Sequence, residues 1–104
     1  MLRISGLVLE VIRLLKPVVA IIAKHDLDLA RQLRRAASSI ALNIQEGSGL
    51  TGGLRIQRYR TALGSTRESI ACLQVADAWG YGEVDAELVD KLEHVAAVLV
   101  KLQS

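Results

Sequence analysis

The sequence is poor in aromatic residues, proline and cysteine, and each shortage excludes a class of structure. Phenylalanine is absent and aromatic residues make up only 3% of the chain, although 51% of the residues are hydrophobic. A core of Leu, Ile, Val and Ala favours helices over a sheet, and a single proline agrees with this. A lone cysteine, Cys72, excludes an internal disulfide. The length of 104 residues predicts one domain, residues 1–104, with one core.

Targeting and membrane-spanning patterns are also missing from the sequence. No secretory signal pattern opens it, and Glu10, Arg13 and Lys16 interrupt the apolar first segment. A membrane span needs about 20 consecutive apolar residues. We therefore expect a cytoplasmic protein that does not enter a membrane.

Charge is present but unevenly placed. Residues 1–60 hold ten Lys/Arg and four Asp/Glu, a net charge of +6, whereas residues 61–104 hold three and seven, a net charge of −4. Such a division suits either a basic surface for a polyanion or surfaces of opposite sign that attract each other within or between subunits.

Four segments repeat apolar residues at helical spacing, and short connections separate them. Short connections between long helices make antiparallel neighbours, so the pattern predicts an all-α, up-down-up-down antiparallel four-helix bundle. The four predicted core stripes are Ile4, Val8, Val11, Leu15, Val18 and Ile22; Ala30, Leu33, Ala37, Ile40 and Ile44; Ile56, Tyr59, Leu63, Thr66, Ile70 and Leu73; and Leu88, Leu92, Val95, Leu99 and Leu102.

Two helices have more apolar or small surface than one bundle needs. The first helix carries further apolar stripes beside its core stripe, including Leu7, Leu14 and Ile21, and Pro17 should kink it or start a new turn. The third helix carries a row of small residues that would let another helix approach closely. This row is Ala62, Ser65, Ser69, Cys72 and Ala76. We expect a homo-oligomer that assembles through the first helix and this small row.

Local signals predict where the helices begin and end. Asp26 or Asp28 should cap the second helix, and Asp85 the fourth. The glycine-rich segment Gly47–Gly53 should end the second helix and form the turn, with glycines that can adopt positive φ.

Motifs for metal binding and catalysis are missing. A di-iron bundle needs Glu and His three residues apart on two helices, and neither His25 nor His94 has such a partner. Cys72 belongs to the small row, where a thiol behaves as a small hydrophobic group. The glycine-rich segment lacks the Gly-Lys-Ser/Thr ending of a phosphate loop. We predict no enzyme, no metal and no cofactor.

Arginines are the strongest functional signal. Arg55, Arg58 and Arg60 occupy the first turns of the third helix, where cations oppose the helix dipole by about 0.3–1 kcal/mol each. With backbone N–H groups and glycines nearby they could bind phosphate, or Glu46 and neighbouring subunits could neutralise them.

A second arginine group, Arg31, Arg34 and Arg35, lies outside the core stripe of the second helix. We expect one ion pair between Glu68 and an arginine near it. Because aromatic stacking platforms are scarce, any nucleic acid would be bound through its backbone.

Three blocks of the sequence resemble a known family. The blocks are QLRRAASSI (Gln32–Ile40), NIQEGSG (Asn43–Gly49) and ALGSTRES (Ala62–Ser69), followed by Trp79, Gly80 and Tyr81. They are similar to the bacterial four-helix bundles named for proteins encoded in 23S rRNA intervening sequences. This family includes proteins similar to the accessory variability determinant of diversity-generating retroelements. Its name records where genes were found and does not establish an rRNA function.

The resemblance implies a homopentamer of up-down bundles without known catalytic chemistry. In the retroelement branch it implies a basic surface that binds nucleic acid and a reverse transcriptase. This sequence departs from the family pattern in two places. The aspartate- and tryptophan-bearing start of the first helix is missing, and LRIQRYR (Leu54–Arg60) replaces a segment that is commonly acidic or mixed.

Two functional hypotheses follow. In the first, an oligomer binds RNA or DNA backbone through Arg31, Arg34, Arg35, Arg55, Arg58 and Arg60. In the second, the protein is an interaction scaffold whose basic and acidic halves pair between subunits or with a protein partner.

Overall fold

The computed structural model describes residues 3–104 as four helices joined by short turns. The helices are α1 (Arg3–Ala23), α2 (Leu27–Ser48), α3 (Gly52–Trp79) and α4 (Ala86–Leu102). Contacts between consecutive helices dominate, most extensively between α2 and α3, and α4 closes the bundle against α1. The bundle measures 42 × 23 × 20 Å. The predicted all-α, up-down-up-down four-helix bundle is confirmed.

The core consists of the apolar stripes that the helical spacing predicts. Leu33, Ile40, Leu92 and Leu99 are completely buried, and all the other stripe members are buried except three. The exceptions are half-buried and are Val18, Ile56 and Leu102. The core is therefore aliphatic, and Tyr59 is its one aromatic ring among the described residues.

Aspartates begin two of the helices as predicted. The Asp26 carboxylate accepts a hydrogen bond from the Leu29 N–H at 2.9 Å, so Asp26 rather than Asp28 caps α2. Asp85 caps α4 by accepting from the Glu87 N–H at 2.9 Å. Pro17 is exposed, and α1 continues through it as one helix.

The glycine-rich segment ends α2 and forms the turn before α3, as predicted, but Gly47 does not belong to that turn. Only Gly52 of its four glycines has a positive φ, at 60°, and α2 continues through Gly47 to Ser48. Gly47 is helical and buried, and a Cβ atom there would lie 2.7 Å from Cε1 of Tyr59. Gly47 is thus needed for close packing of α2 against α3 rather than for a turn.

The small row of α3 packs inside the bundle. Ala62 and Ser69 are completely buried, Cys72 and Ala76 nearly so, and the Ser65 hydroxyl donates to Ser39 Oγ of α2 at 2.8 Å. The prediction that this row meets another helix is correct, but the helix belongs to the same chain. The expectation that the row mediates self-association is therefore wrong.

Candidate nucleic-acid interface

A broad open groove of about 1000 Å³ runs along the outer face of α2 and reaches the start of α3. Four of the six predicted arginines line it: Arg31, Arg34, Arg35 and Arg58. The groove extends from Asp28 to Glu46, which is about 27 Å along the helix axis at 1.5 Å per residue. The structure therefore brings together arginines from α2 and α3 that are 23 or more residues apart in the sequence.

The three α2 arginines of the groove point outward without internal partners. Arg31, Arg34 and Arg35 are exposed, and none of them forms an ion pair within residues 3–104. Arg31 lies one helical turn from each of the other two, and like charges at such spacing cost about 0.2–0.5 kcal/mol per pair. Stability of the bundle therefore does not explain this group.

Arg58 lies at the rim of the groove and has a weak partner. Its Nη1 atom is 3.4 Å from Oε2 of Glu46, and both side chains are substantially exposed. Exposed pairs of this kind contribute at most about 1 kcal/mol. Exchange of Glu46 for an external anion would therefore cost little.

Arg55 turns away from the groove and caps the preceding helix. Its Nε donates to the Gly47 carbonyl at 3.3 Å, and its Nη2 donates to the Ser48 carbonyl at 3.4 Å. These carbonyls lie at the C-terminal end of α2, where the helix dipole favours a cation. Arg55 therefore has a structural role that the spacing in the sequence did not reveal.

Arg60 does not line the groove, although it is exposed on α3. The arginines at the start of α3 thus divide into a helix cap, a groove residue and a surface residue. The expected Glu68 pair is also missing, because Glu68 forms no ion pair within the described residues.

A small polar network supports the groove wall. The Asn43 side-chain amide donates to the Ser39 carbonyl at 2.9 Å and to Ser39 Oγ at 3.0 Å, and the same hydroxyl oxygen accepts from Ser65. Ser39 and Asn43 both line the groove. Their role was not predicted from the sequence. The signal that could have indicated it is their spacing of four residues, beside the core stripe of α2.

Charge is separated along the long axis of the bundle. At one end, residues 20–31 and 76–90 hold seven Asp/Glu and two Lys/Arg, a net charge of −5. At the other end, residues 3–9, 43–62 and 97–104 hold one Asp/Glu and five Lys/Arg, a net charge of +4. We call these the acidic end and the basic end. Each end collects residues from both halves of the sequence because the four helices alternate in direction.

Part of the α1 surface is apolar and uncovered. Leu9, Leu14 and Ile21 are 39%, 40% and 47% exposed, respectively. Glu10 lies among them and pairs with Lys91 of α4 at 3.5 Å. The three partner helices thus leave apolar positions of α1 in contact with solvent.

The remaining reactive side chains do not cluster. Cys72 is buried, and burial together with the Glu68 carboxylate raises the pKa of its thiol. Residues 3–104 contain no group of three or more His, Cys, Asp or Glu side chains placed to hold a metal. None of the helices in this range combines the length and apolarity needed to cross a membrane.

Comparison with known proteins gives one family and one structural neighbour. The model of a family described as 23S rRNA-intervening sequence protein matches residues 5–101. A crystal structure of a protein with unknown function from the S23 ribosomal protein family of Bacteroides thetaiotaomicron superposes with a TM-score of 0.85. It is 16% identical, and the match covers 97% of this chain and 98% of that chain. No curated protein matches the sequence significantly.

Proposed function

The chain belongs to the 23S rRNA-intervening sequence protein family, and we propose that it is a non-enzymatic, homo-oligomeric bundle that binds the backbone of RNA or DNA. The groove of α2 is the binding surface in this proposal. Arg31, Arg34 and Arg35 contact phosphates directly, and Arg58 joins them by releasing Glu46. The proposal includes a cytoplasmic location, where nucleic acid is available and a lone cysteine stays reduced.

One observation carries the proposal. Three exposed arginines lie next to one another on a groove wall without an ion pair in the described chain, at a cost to the helix that carries them. Guanidinium groups bind phosphate oxygens in a planar, bidentate way. The groove contains no aromatic ring on which a base could stack. These features support contact with the backbone rather than with bases.

Oligomerisation is the second part of the proposal. It is supported by Leu14 and Ile21, which lie on one face of α1 seven residues apart and are 40% and 47% exposed. Assembly through this face would repeat the groove around the oligomer, so several grooves could hold one nucleic acid. The homopentamer implied by the family resemblance is the expected form.

The test is the salt dependence of binding. Fluorescently labelled single-stranded and duplex RNA and DNA are titrated with the protein at several salt concentrations. Three to four phosphate contacts per groove predict a slope of log K against log salt of about −2 to −4. Changing Arg34→Glu and Arg35→Glu together should weaken binding to all sequences alike and reduce the magnitude of the slope by about 2.

Arg67→Glu is the matched control, because Arg67 is an exposed arginine on α3 outside this groove. It reverses one arginine, half of the charge change of the double variant, at a site that should not contact the nucleic acid. If neither RNA nor DNA binds at low salt, or if binding ignores salt, the proposal is wrong. An equal loss of binding free energy per reversed arginine with Arg67→Glu would mean that net charge alone matters.

A specific observation favours a second function, that of a protein-interaction scaffold. Leu42 is 67% exposed and lies in the same groove. A phosphate backbone would make no favourable contact with its apolar side chain, whereas a protein surface could bury it. The opposite charges of the two ends also suit pairing between subunits or with a protein such as a reverse transcriptase. On this hypothesis, Arg58→Glu with Arg60→Glu lowers the oligomer mass in analytical ultracentrifugation, and nucleic-acid binding is negligible from the start.

A further inference from the structure

Three aromatic side chains stack in a row at the acidic end of the bundle. The ring of Tyr81 lies 5.1 Å from that of His25 with an interplanar angle of 6°, and 6.4 Å from that of Trp79 with an angle of 16°. Trp79 is the last residue of α3 and Tyr81 lies in the connection that follows it, whereas His25 comes from the connection between α1 and α2. The row therefore joins both loops at this end.

The turn after α3 places the row. Gly80 has a φ of 78° and ends the helix, and the Tyr81 N–H donates to the Ala76 carbonyl at 2.9 Å. This arrangement is the hydrogen-bonding pattern of a Schellman motif, which reverses the chain direction over the last helical turn. Tyr81 is thereby held against His25, and its ring stacks on that of Trp79.

Trp79 is the most exposed large apolar side chain of the described residues, at 69%. A tryptophan can bury roughly 150–250 Å² of surface, so burying an exposed tryptophan against a partner would stabilise the complex. Single exposed apolar residues are ordinary on a protein surface. Trp79 differs because a second ring holds it in place, which reduces the entropy that a ligand must remove on binding.

The charges around the row are negative. Asp77 and Glu83 are exposed and lie within two residues of Trp79 and Tyr81 in the chain, and the whole end has a net charge of −5. Lys24, beside His25, is the one nearby cation in the two connections. Such a surface repels phosphate, so it cannot share the ligand proposed for the groove.

We propose that the exposed face of Trp79, stacked on Tyr81 at the acidic end of the bundle, docks an arginine-bearing segment of another protein. A guanidinium group stacks on an indole face and is attracted by carboxylates, and this end combines an exposed indole with a net charge of −5. An ammonium group gains less from stacking, so lysine is the poorer ligand.

A second copy of this chain fits the surface less well than a separate basic segment. Its arginines without an ion pair in residues 3–104 include Arg31, Arg34 and Arg35, which line the groove that we propose for nucleic acid. A second copy docked through them would block that groove. An unstructured segment of another protein would leave it open.

The test uses the full chain and short labelled peptides composed of glycine with arginine, lysine or glutamate. Trp79 is the only tryptophan, so its intrinsic fluorescence reports directly on the surface, and anisotropy reports on the peptide. We expect binding in the order arginine, lysine, glutamate, with the glutamate peptide unbound. Trp79→Ala should weaken the arginine peptide roughly two- to fivefold, and Glu83→Lys should weaken it further at low salt.

Leu54→Ala is the matched control, because Leu54 is a similarly exposed apolar residue outside the groove, 62% against 69%. It should leave peptide affinity unchanged, and circular dichroism should show native helix content in all variants. The proposal is overturned if the arginine peptide does not bind, if Trp79→Ala has no effect, or if an oligonucleotide quenches Trp79 instead. It is also overturned if Trp79→Ala lowers the oligomer mass, since the occupant would then be a second copy.

Different variants test the nucleic-acid proposal and the peptide proposal independently. Arg34→Glu with Arg35→Glu should weaken nucleic-acid binding and leave peptide binding intact. Trp79→Ala should do the reverse.

Discussion

The close contact between α2 and α3 at Gly47 gives the sharpest prediction for stability. A Cβ atom on residue 47 would lie 2.7 and 2.9 Å from two ring atoms of Tyr59 and 3.2 Å from Cβ of Arg58. Tyr59 is only 2% exposed, so its ring cannot move into solvent. Overpacking of this kind costs about 1–3 kcal/mol. The higher helix propensity of alanine returns about 1 kcal/mol, so Gly47→Ala should destabilise the protein by about 0–2 kcal/mol net.

Gly64→Ala is the matched control, because Gly64 lies inside α3 with no atom within 4 Å of the added Cβ. It should stabilise the protein by about 0.5–1 kcal/mol through helix propensity alone. Urea unfolding followed by circular dichroism, at one fixed protein concentration, measures both changes. The difference between two identical substitutions isolates the contact with Tyr59.

A double-mutant cycle tests the cause. Tyr59→Ala alone should cost about 3–5 kcal/mol, by analogy with other buried aromatic residues. In that background the added methyl group has room, and Gly47→Ala should become neutral or stabilising. Equal effects of Gly47→Ala and Gly64→Ala in the native background would refute the steric argument.

Three further predictions concern helix caps and the buried thiol. Asp26→Ala and Asp85→Ala should each destabilise the protein by about 1 kcal/mol in urea unfolding, because each carboxylate satisfies backbone N–H groups. Arg55→Ala should cost up to about 1 kcal/mol, whereas Arg60→Ala should be neutral in the same assay, since only Arg55 caps α2. Burial raises the pKa of Cys72, so stability should fall as the pH rises above the ordinary value of 9.0, and Cys72→Ala should remove this loss.

The core could be predicted from the sequence because the relevant information is local. The spacing of Leu33, Ile40 and Ile44 is visible within one segment, and their burial follows once four such segments are present. The N-caps are equally local, since Asp26 needs only the start of its own helix. Both predictions depend on residues a few positions apart.

The function of Gly47 could not be predicted, because its reason lies in Tyr59, on the next helix. A cluster of glycines is typical of a turn, and only the packing shows that this one is a contact. The same holds for Arg55, whose partners are carbonyls seven and eight residues earlier in the chain. The aromatic row was missed for a similar reason, because Tyr81 and His25 meet only when the two loops share one end of the bundle.

The charge separation along the axis comes partly from acids and cations at the helix ends. The arginines that these helix ends do not explain are the ones that need a ligand. The acidic end collects Asp26, Asp28, Asp85 and Glu87 because α2 and α4 both begin there and acids stabilise helix N-termini. The same rule would place acids at the start of α3, yet its first turn has none. The cations found there are largely compensated, since one caps α2 and another pairs with Glu46.

The arginines on the outer face of α2 have no comparable compensation. Arg31 follows Asp28 by three residues without forming an ion pair, and Arg34 and Arg35 have no partner within the described chain. Caps, core packing and helix dipoles therefore account for the start of α3 but leave the α2 group unexplained. For this reason Arg34 and Arg35, rather than the arginines beside the glycine-rich segment, are the residues whose reversal should separate nucleic-acid binding from folding.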